Sequence, residues 1–407
     1  MVRLNQRWAL LPGLAMLALF LYMTGTGLGG TSDSVNYLWA AHTLRAAGRL
    51  LAPDGTPYRF WGPLYPMLLS VFFSSTGVRI LHGAALLVQL ALWNQIGRWF
   101  LTPNRAVVLS WIVALSTAVL VPAKFIWSET VFGMLAAAYF YALLLWGRSG
   151  RMSWLALATV AGFLLPLQRT SGFFLLAGAG AGLLLTGLWR GRWRPLLGHW
   201  AGCAIGGLAW NYYAEAVAGP PVYQAVRGWA ALGSSVADYG YVLARWFVPL
   251  AASWLGYFPI LWAIALPVVL LLLWPRLSRV TALGGAEVAV RSFAPIESLR
   301  LLWWVILVTI IALLLAANAT RAAAGPHDTE RYCAVLVGPV GLLALARWPV
   351  SGAFDLLKTG RGWPWVERAL FVGWLVYSVV RVGHNAHRLR QRPPVAWPEE
   401  SAANSTN

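Results

Sequence analysis

The chain has 407 residues, of which 59% are hydrophobic and only 11% charged, whereas soluble domains carry roughly 25% charged residues. The charges gather in short clusters between long apolar runs, which excludes a soluble globular protein and leaves a polytopic membrane protein. Thirty-one basic residues against 13 acidic ones give a formal charge of +18; in such a chain the excess belongs to loops facing anionic lipid rather than to a nucleic-acid partner.

A bilayer crossing needs about 20 apolar residues in a helix, the conformation that pairs all backbone groups internally. About eleven segments fit: residues 8 to 27, 79 to 97, 106 to 122, 130 to 147, 153 to 168, 172 to 189, 199 to 213, 246 to 274, 301 to 317, 332 to 348 and 366 to 382. The first follows Arg3 and Arg7 and lacks a cleavage pattern, so it is expected to stay as a helix with its N-terminus inside. Most basic residues then fall on inner connections, while Asp33, Asp54, Glu129, Glu215, Asp238, Asp328 and Glu330 all fall outside. The end of the chain, with Arg381, Arg388, Arg390 and Arg392, lands outside against the positive-inside rule. Cys203 and Cys333 end apolar runs and suggest neither a disulfide framework nor a thiolate metal site.

The first outer segment, residues 28 to 78, carries its own pattern. Tyr37, Ala41, Leu44, Gly48 and Leu51 recur at helical spacing, with His42, Arg45 and Arg49 on the other face, which predicts an amphipathic interfacial helix. Pro53-Asp54-Gly55-Thr56-Pro57 reads as a turn, and the apolar run from Trp61 to Thr76 is short for a crossing and reads as a second interfacial or re-entrant helix. Residues 214 to 245 and 318 to 331 are further outer segments with room for polar chemistry, and Pro393 to Asn407 reads as a disordered tail behind one membrane domain, residues 1 to 392.

A transporter core is expected to hold ionisable residues or broken helices near mid-bilayer. Here the ionisable groups sit at outer helix ends: Asp33 after the first span, Lys124 and Glu129 around the turn between the third and fourth, Arg169 in a tight connection, and Arg331-Tyr332 opening the tenth. That set suits sugar transfer from a lipid phosphate, where a carboxylate takes a proton from the attacking hydroxyl and arginines hold the departing phosphate. Structural roles compete with this reading. Thr31, Ser32 or Asp33 could cap a helix, Asp54 fits a turn, Glu129 fits a first-turn carboxylate, and Lys124, Arg169 and Arg331 fit headgroup anchors. His327 beside Asp328 and Glu330 lacks a second histidine at ligand spacing, so no metal site is assigned.

Asp33-Ser34-Val35-Asn36-Tyr37-Leu38, Pro53-Asp54-Gly55-Thr56-Pro57-Tyr58 and Trp61-Gly62-Pro63-Leu64-Tyr65-Pro66 together resemble the first extracytoplasmic loop of the glycosyltransferase-C superfamily. The likeness is to bacterial membrane glycosyltransferases related to the dolichyl-phosphate-mannose protein mannosyltransferases. Trp127-Ser128-Glu129-Thr130-Val131-Phe132, Leu167-Gln168-Arg169-Thr170-Ser171-Gly172 and Glu330-Arg331-Tyr332 are similar to later landmarks in the same order. The resemblance, over roughly residues 8 to 348, implies an all-α polytopic enzyme that moves a sugar, with inversion, from a polyprenyl-phosphate donor to a glycan, lipid or protein hydroxyl. Its active site would lie on the extracytoplasmic face of the bacterial cytoplasmic membrane. It further implies Asp33 as catalytic base and Glu129 as a second acidic residue. Arg331 and Arg169 are then expected at the lipid phosphate, with Lys124, Tyr332, Arg59 and His327 as further substrate contacts. No cofactor is required, and a divalent cation is compatible with these residues. The alternative is a transporter or flippase of lipid-linked sugars, which would use the cations without a base; an oligosaccharide polymerase or ligase is a second rival.

Overall fold

In the computed structural model of the chain, residues 10–59, 61–218, 229–250, 253–275, 295–319, 326–347 and 364–398 are described. The described residues are helical apart from turns, loops and three isolated bridges. The first half contains α1 (Leu11–Met23), α2 (Ser32–Ala47), α3 (Leu64–Val71), α4 (Ser75–Phe100), α5 (Pro103–Ala114), α6 (Thr117–Lys124), α7 (Glu129–Ser149), α8 (Met152–Gln168) and α9 (Ser171–Leu185). The second half contains α10 (Trp193–Ala218), α11 (Trp229–Arg245), α12 (Ser253–Tyr257), α13 (Pro259–Leu272), α14 (Pro295–Ala319), α15 (Pro326–Cys333), α16 (Val337–Arg347) and α17 (Pro364–Arg390).

Helix occurs in each of the eleven expected segments, but length and apolarity qualify fewer as complete crossings. Four described stretches pass: Ser75–Phe100, Glu129–Ser149, Pro295–Ala317 and Asp328–Arg347. The bent pair α5 and α6, turning by 41° at a short break, makes a fifth. The expected single span over 246 to 274 is divided instead. Pro259 offers no backbone donor and opens α13 afresh after the short α12, while residues 251–252 lie outside the described set.

Two outer segments also differ from expectation. Much of 214 to 245 is α11, a helix packed along α13 with Tyr239, Tyr241, Val242 and Leu243 buried. Its apolar face is interrupted by Gly and Ser, which hid it from a search for long apolar runs. Residues 393–398 are no loose tail: the Val395 amide donates to the Leu28 carbonyl (2.8 Å) and the Trp397 ring meets Phe73 edge-on. Residues 399–407 are outside the described set.

The first loop forms as its pattern requires. Thr31 caps α2, its Oγ1 accepting from the Ser34 amide (3.5 Å), and Gly48 ends it in the left-handed conformation at φ 67°. Asp54 Oδ1 accepts from both the amide (3.0 Å) and the hydroxyl (2.6 Å) of Thr56, closing the expected turn. The short α3 then packs on α2. α7, the most buried of the crossings, forms the centre, with α4 and α8 on its flanks. α17 returns the chain to α1, where Arg390 covers the Tyr22 ring (4.6 Å) and its carbonyl accepts from Thr26 Oγ1 (2.7 Å). α1 and α17 therefore meet beside the first loop.

Candidate functional site

Two carboxylate-bearing segments are joined by one small device. The Gly29 amide donates to the Lys124 carbonyl (2.8 Å) and the Ile126 amide to the Gly29 carbonyl (3.3 Å), a parallel bridge between Gly29 and Phe125. Asp33 stands four residues after Gly29, and Glu129 four residues after Phe125. Each then enters the first turn of its helix, so one bridge sets both carboxylates in register. Trp127 reinforces the join, its Nε1 donating to Thr31 Oγ1 (2.8 Å). Because Thr31 is the cap, the Asp33 side chain is not used for capping.

It is used on Arg331. From the last turn of α15, Arg331 Nη2 donates to Asp33 Oδ2 (2.6 Å) and Nε donates to Glu129 Oε1. Arg169, where α8 breaks into extended backbone, reaches the same Glu129 oxygen with Nη1 (2.6 Å) and also donates to Ser128 Oγ (3.0 Å). Asp328 lies 3.5 Å from Arg331 Nη1. The Arg331 guanidinium covers the Trp127 ring at 4.1 Å, and Arg331 and Arg169 both lie over Tyr332, at 5.5 and 5.6 Å. Supporting bonds come from Tyr37, whose hydroxyl pairs with Ser128 Oγ (3.1 Å), and from Gln168, whose Nε2 donates to the Ser128 carbonyl (3.0 Å).

The two carboxylates are not equivalent. Glu129 has a side chain only 4% exposed and is shared by two arginines, whereas Asp33 is 20% exposed. A buried charge is tolerated only when paired, so Glu129 and its two guanidiniums hold one another in place. Asp33 keeps access. Three carboxylates surround two guanidiniums, leaving the cluster one negative charge in excess. Glu129 Oε2 and Gln168 Oε1 are buried acceptors without a hydrogen-bond partner, at a typical cost of about 1–3 kcal/mol each, which a donor from a ligand or water would relieve.

The other expected residues divide. Tyr332 belongs to the cluster. Lys124 is fully buried and its Nζ donates to the Gly27 carbonyl (2.7 Å), so its charge secures the backbone before Asp33 rather than facing a phosphate. Arg59 lies near Asp54 and adds to the effect of the Thr56 donors, which hold that carboxyl below its ordinary range. His327 starts α15, and its side chain is outside the described residues.

A second network was not foreseen. Glu330, one position before Arg331, accepts from Thr117 Oγ1 (2.6 Å) and Arg381 Nη2 (2.5 Å), with Arg245 Nη1 at 3.9 Å. Arg381 also donates to the Arg245 carbonyl (3.2 Å). Of these residues Thr117 and Arg381 line an apolar cavity of about 600 Å³ bounded by α5, α13, α16 and α17, whose wall also includes Arg105 and Arg347. The sequence offered only one hint, the misplaced positive charge late in the chain. Glu330 and its partners on α6, α11 and α17 are too far apart in sequence for any local pattern to link them.

No family model matches the chain, and no curated protein matches its sequence. Solved structures do match. ArnT from Cupriavidus metallidurans, bound to undecaprenyl phosphate, superposes with a TM-score of 0.57 at 16% identity, over 91% of this chain and 62% of its own. Its apo form gives 0.59 at 15% identity over 90% and 62%. The archaeal oligosaccharyltransferase AglB from Archaeoglobus fulgidus, in complex with an inhibitory peptide and a dolichol-phosphate, gives 0.51 at 13% identity over 96% and 57%. The chain thus spans about three fifths of the length of these proteins, and it shares their fold.

Proposed function

We propose that the chain is an inverting glycosyltransferase that moves a sugar from a polyprenyl phosphate to a hydroxyl acceptor at the extracytoplasmic face of the bacterial cytoplasmic membrane. The observation that carries this reading is the meeting of Asp33, Glu129, Arg169 and Arg331 from four distant segments at one end of the helix bundle. The shared fold supports it, since solved structures of that fold hold undecaprenyl phosphate or dolichol-phosphate.

Asp33, the more accessible carboxylate, takes the proton of the acceptor hydroxyl as its oxygen attacks the anomeric carbon. The bond from that carbon to the phosphate oxygen breaks in the same displacement, its electron pair leaves with the polyprenyl phosphate, and the anomeric configuration inverts. A positioned base contributes roughly 10² to 10⁴ in rate. Glu129 fixes the planes of Arg331 and Arg169, which turn their remaining donors to the charge developing on the phosphate. The apolar cavity beside Arg381 has the lining an isoprenoid chain requires.

The residues do not fit a divalent cation in this arrangement. Asp33, Glu129 and Asp328 are drawn to a guanidinium rather than to one another, and no group of three His, Cys, Asp or Glu able to hold a metal occurs among the described residues. No step is routed through one.

The test is incubation of the purified full chain, in nanodiscs, with a panel of polyprenyl-phosphate sugars. Release of lipid phosphate that Asp33→Asn abolishes, with donor binding retained, is the expected result. Movement of donor across the bilayer that survives this substitution, with no release, would favour the flippase reading. No release from any donor overturns the proposal.

A further inference from the structure

The bridge that registers Asp33 with Glu129 has a third member. Gly29 pairs with Phe125 on one side and, antiparallel, with Pro394 on the other, and the Val395 amide donates to the Leu28 carbonyl. The fit is close on both sides. A Cβ on Gly29 would stand 2.8 Å from the Phe125 ring, one on Gly27 2.8 Å from Pro394 Cβ, and one on Gly30 2.6 Å from Val395 Cγ2. The seven residues between the end of α1 and the cap of α2, four of them glycine, would otherwise be free to move. They are held by Lys124 Nζ at Gly27, by the Phe125 strand at Gly29, and by residues 394 and 395 along their outer edge.

We infer that residues 393–398 form a positioning segment for the reaction: with the Phe125 bridge they clamp Gly27 to Gly30 from both sides and thereby fix Asp33 against Arg331 and Glu129. This rests on the proposed role of Asp33, but the clamp itself is physical and can be read without turnover. The segment touches the backbone four residues before the base. α17 brings it there, through Tyr22 to Arg390 and Thr26 to Arg390 at the outer end of α1. Removing the segment deletes the Val395 amide donor and the apolar cover of Gly27 and Gly30, while the ion pairs of Arg331 and Arg169 retain their partners.

Two variants separate positioning from folding. The first ends the chain after Arg392; the second, Gly30→Val, keeps the segment but pushes Val395 away. Hydrogen exchange in nanodiscs is expected to rise about tenfold or more at residues 26–34 and 124–129 in both, with α9, α14 and α7 beyond its first turn unchanged. In the transfer assay kcat is expected to fall at least tenfold while KM for the donor stays within twofold, and a synthetic peptide of residues 391–398 should restore both exchange protection and kcat to the truncated chain. Unchanged exchange at 26–34 and 124–129 overturns the inference, as does a loss of protection spread evenly over the bundle. If the intact protein turns over no donor, the exchange pattern still decides the clamp, and only the reading of function fails.

Discussion

The unequal burial of the two carboxylates makes a prediction that separates stability from catalysis. Glu129→Gln removes the one charge shared by Arg169 and Arg331 and leaves two largely buried guanidiniums without it. Breaking a buried pair from one side typically costs about 3–5 kcal/mol. Arg331 keeps Asp33 and Asp328, so the lower half of that range is expected. Asp33→Asn removes one partly exposed ion pair and keeps an acceptor oxygen for Arg331, so about 1 kcal/mol is expected. Turnover orders them differently: Asp33→Asn lowers kcat by roughly 10² to 10⁴, the contribution of a placed base. Unfolding by denaturant in mixed micelles, followed by tryptophan fluorescence, measures the first quantity, and release of lipid phosphate the second. Equal destabilisation by the two substitutions, or substantial turnover by Asp33→Asn, would falsify the division of roles.

Three other outcomes follow from the same geometry. Gly62→Ala would place its Cβ 1.9 Å from the Leu167 carbonyl oxygen, next to Gln168 and Arg169; overpacking of this kind costs about 1–3 kcal/mol or more, and turnover should fall with Tm. Glu330→Gln leaves Arg381 and Arg245 without their shared counter-charge, and is expected to cost about 3 kcal/mol in the same unfolding assay. Asp54, with its carboxyl held low by the Thr56 donors, supports its turn above the ordinary carboxylate range and loses that support as pH falls through its depressed value. The Thr56 amide resonance should therefore shift at acid pH in the native chain and not in Asp54→Asn.

Much of the architecture was legible because bilayer crossing imposes a strong pattern. A cap among Thr31, Ser32 and Asp33, the Asp54 turn and the short α3 could be read from local residue types for the same reason that they form. The site was legible only as residue types at helix ends. Arg331 is 298 positions from Asp33 and 202 from Glu129, and no local signal encodes such a meeting. Lys124 misled because a lysine closing an apolar helix looks like a headgroup anchor, and nothing nearby in sequence reveals the Gly27 carbonyl opposite it. α11 was missed because its stabilising surface is one face against α13 rather than an apolar run. Residues 393–398 were misread because a polar, proline-rich composition says nothing about an amide edge waiting in the first loop.

Glu330 and Arg331 are consecutive, yet one pairs with an arginine that lines the apolar hollow and the other with the acid pair. Successive positions on a helix differ by about 100° in direction. Insertion or loss of a single residue before them in the eight-residue α15 would therefore swing both away together, detaching hollow and acid pair in one event. Substitutions elsewhere along this stretch can be absorbed, but its length cannot vary, and an indel there would be a more severe lesion than most missense changes.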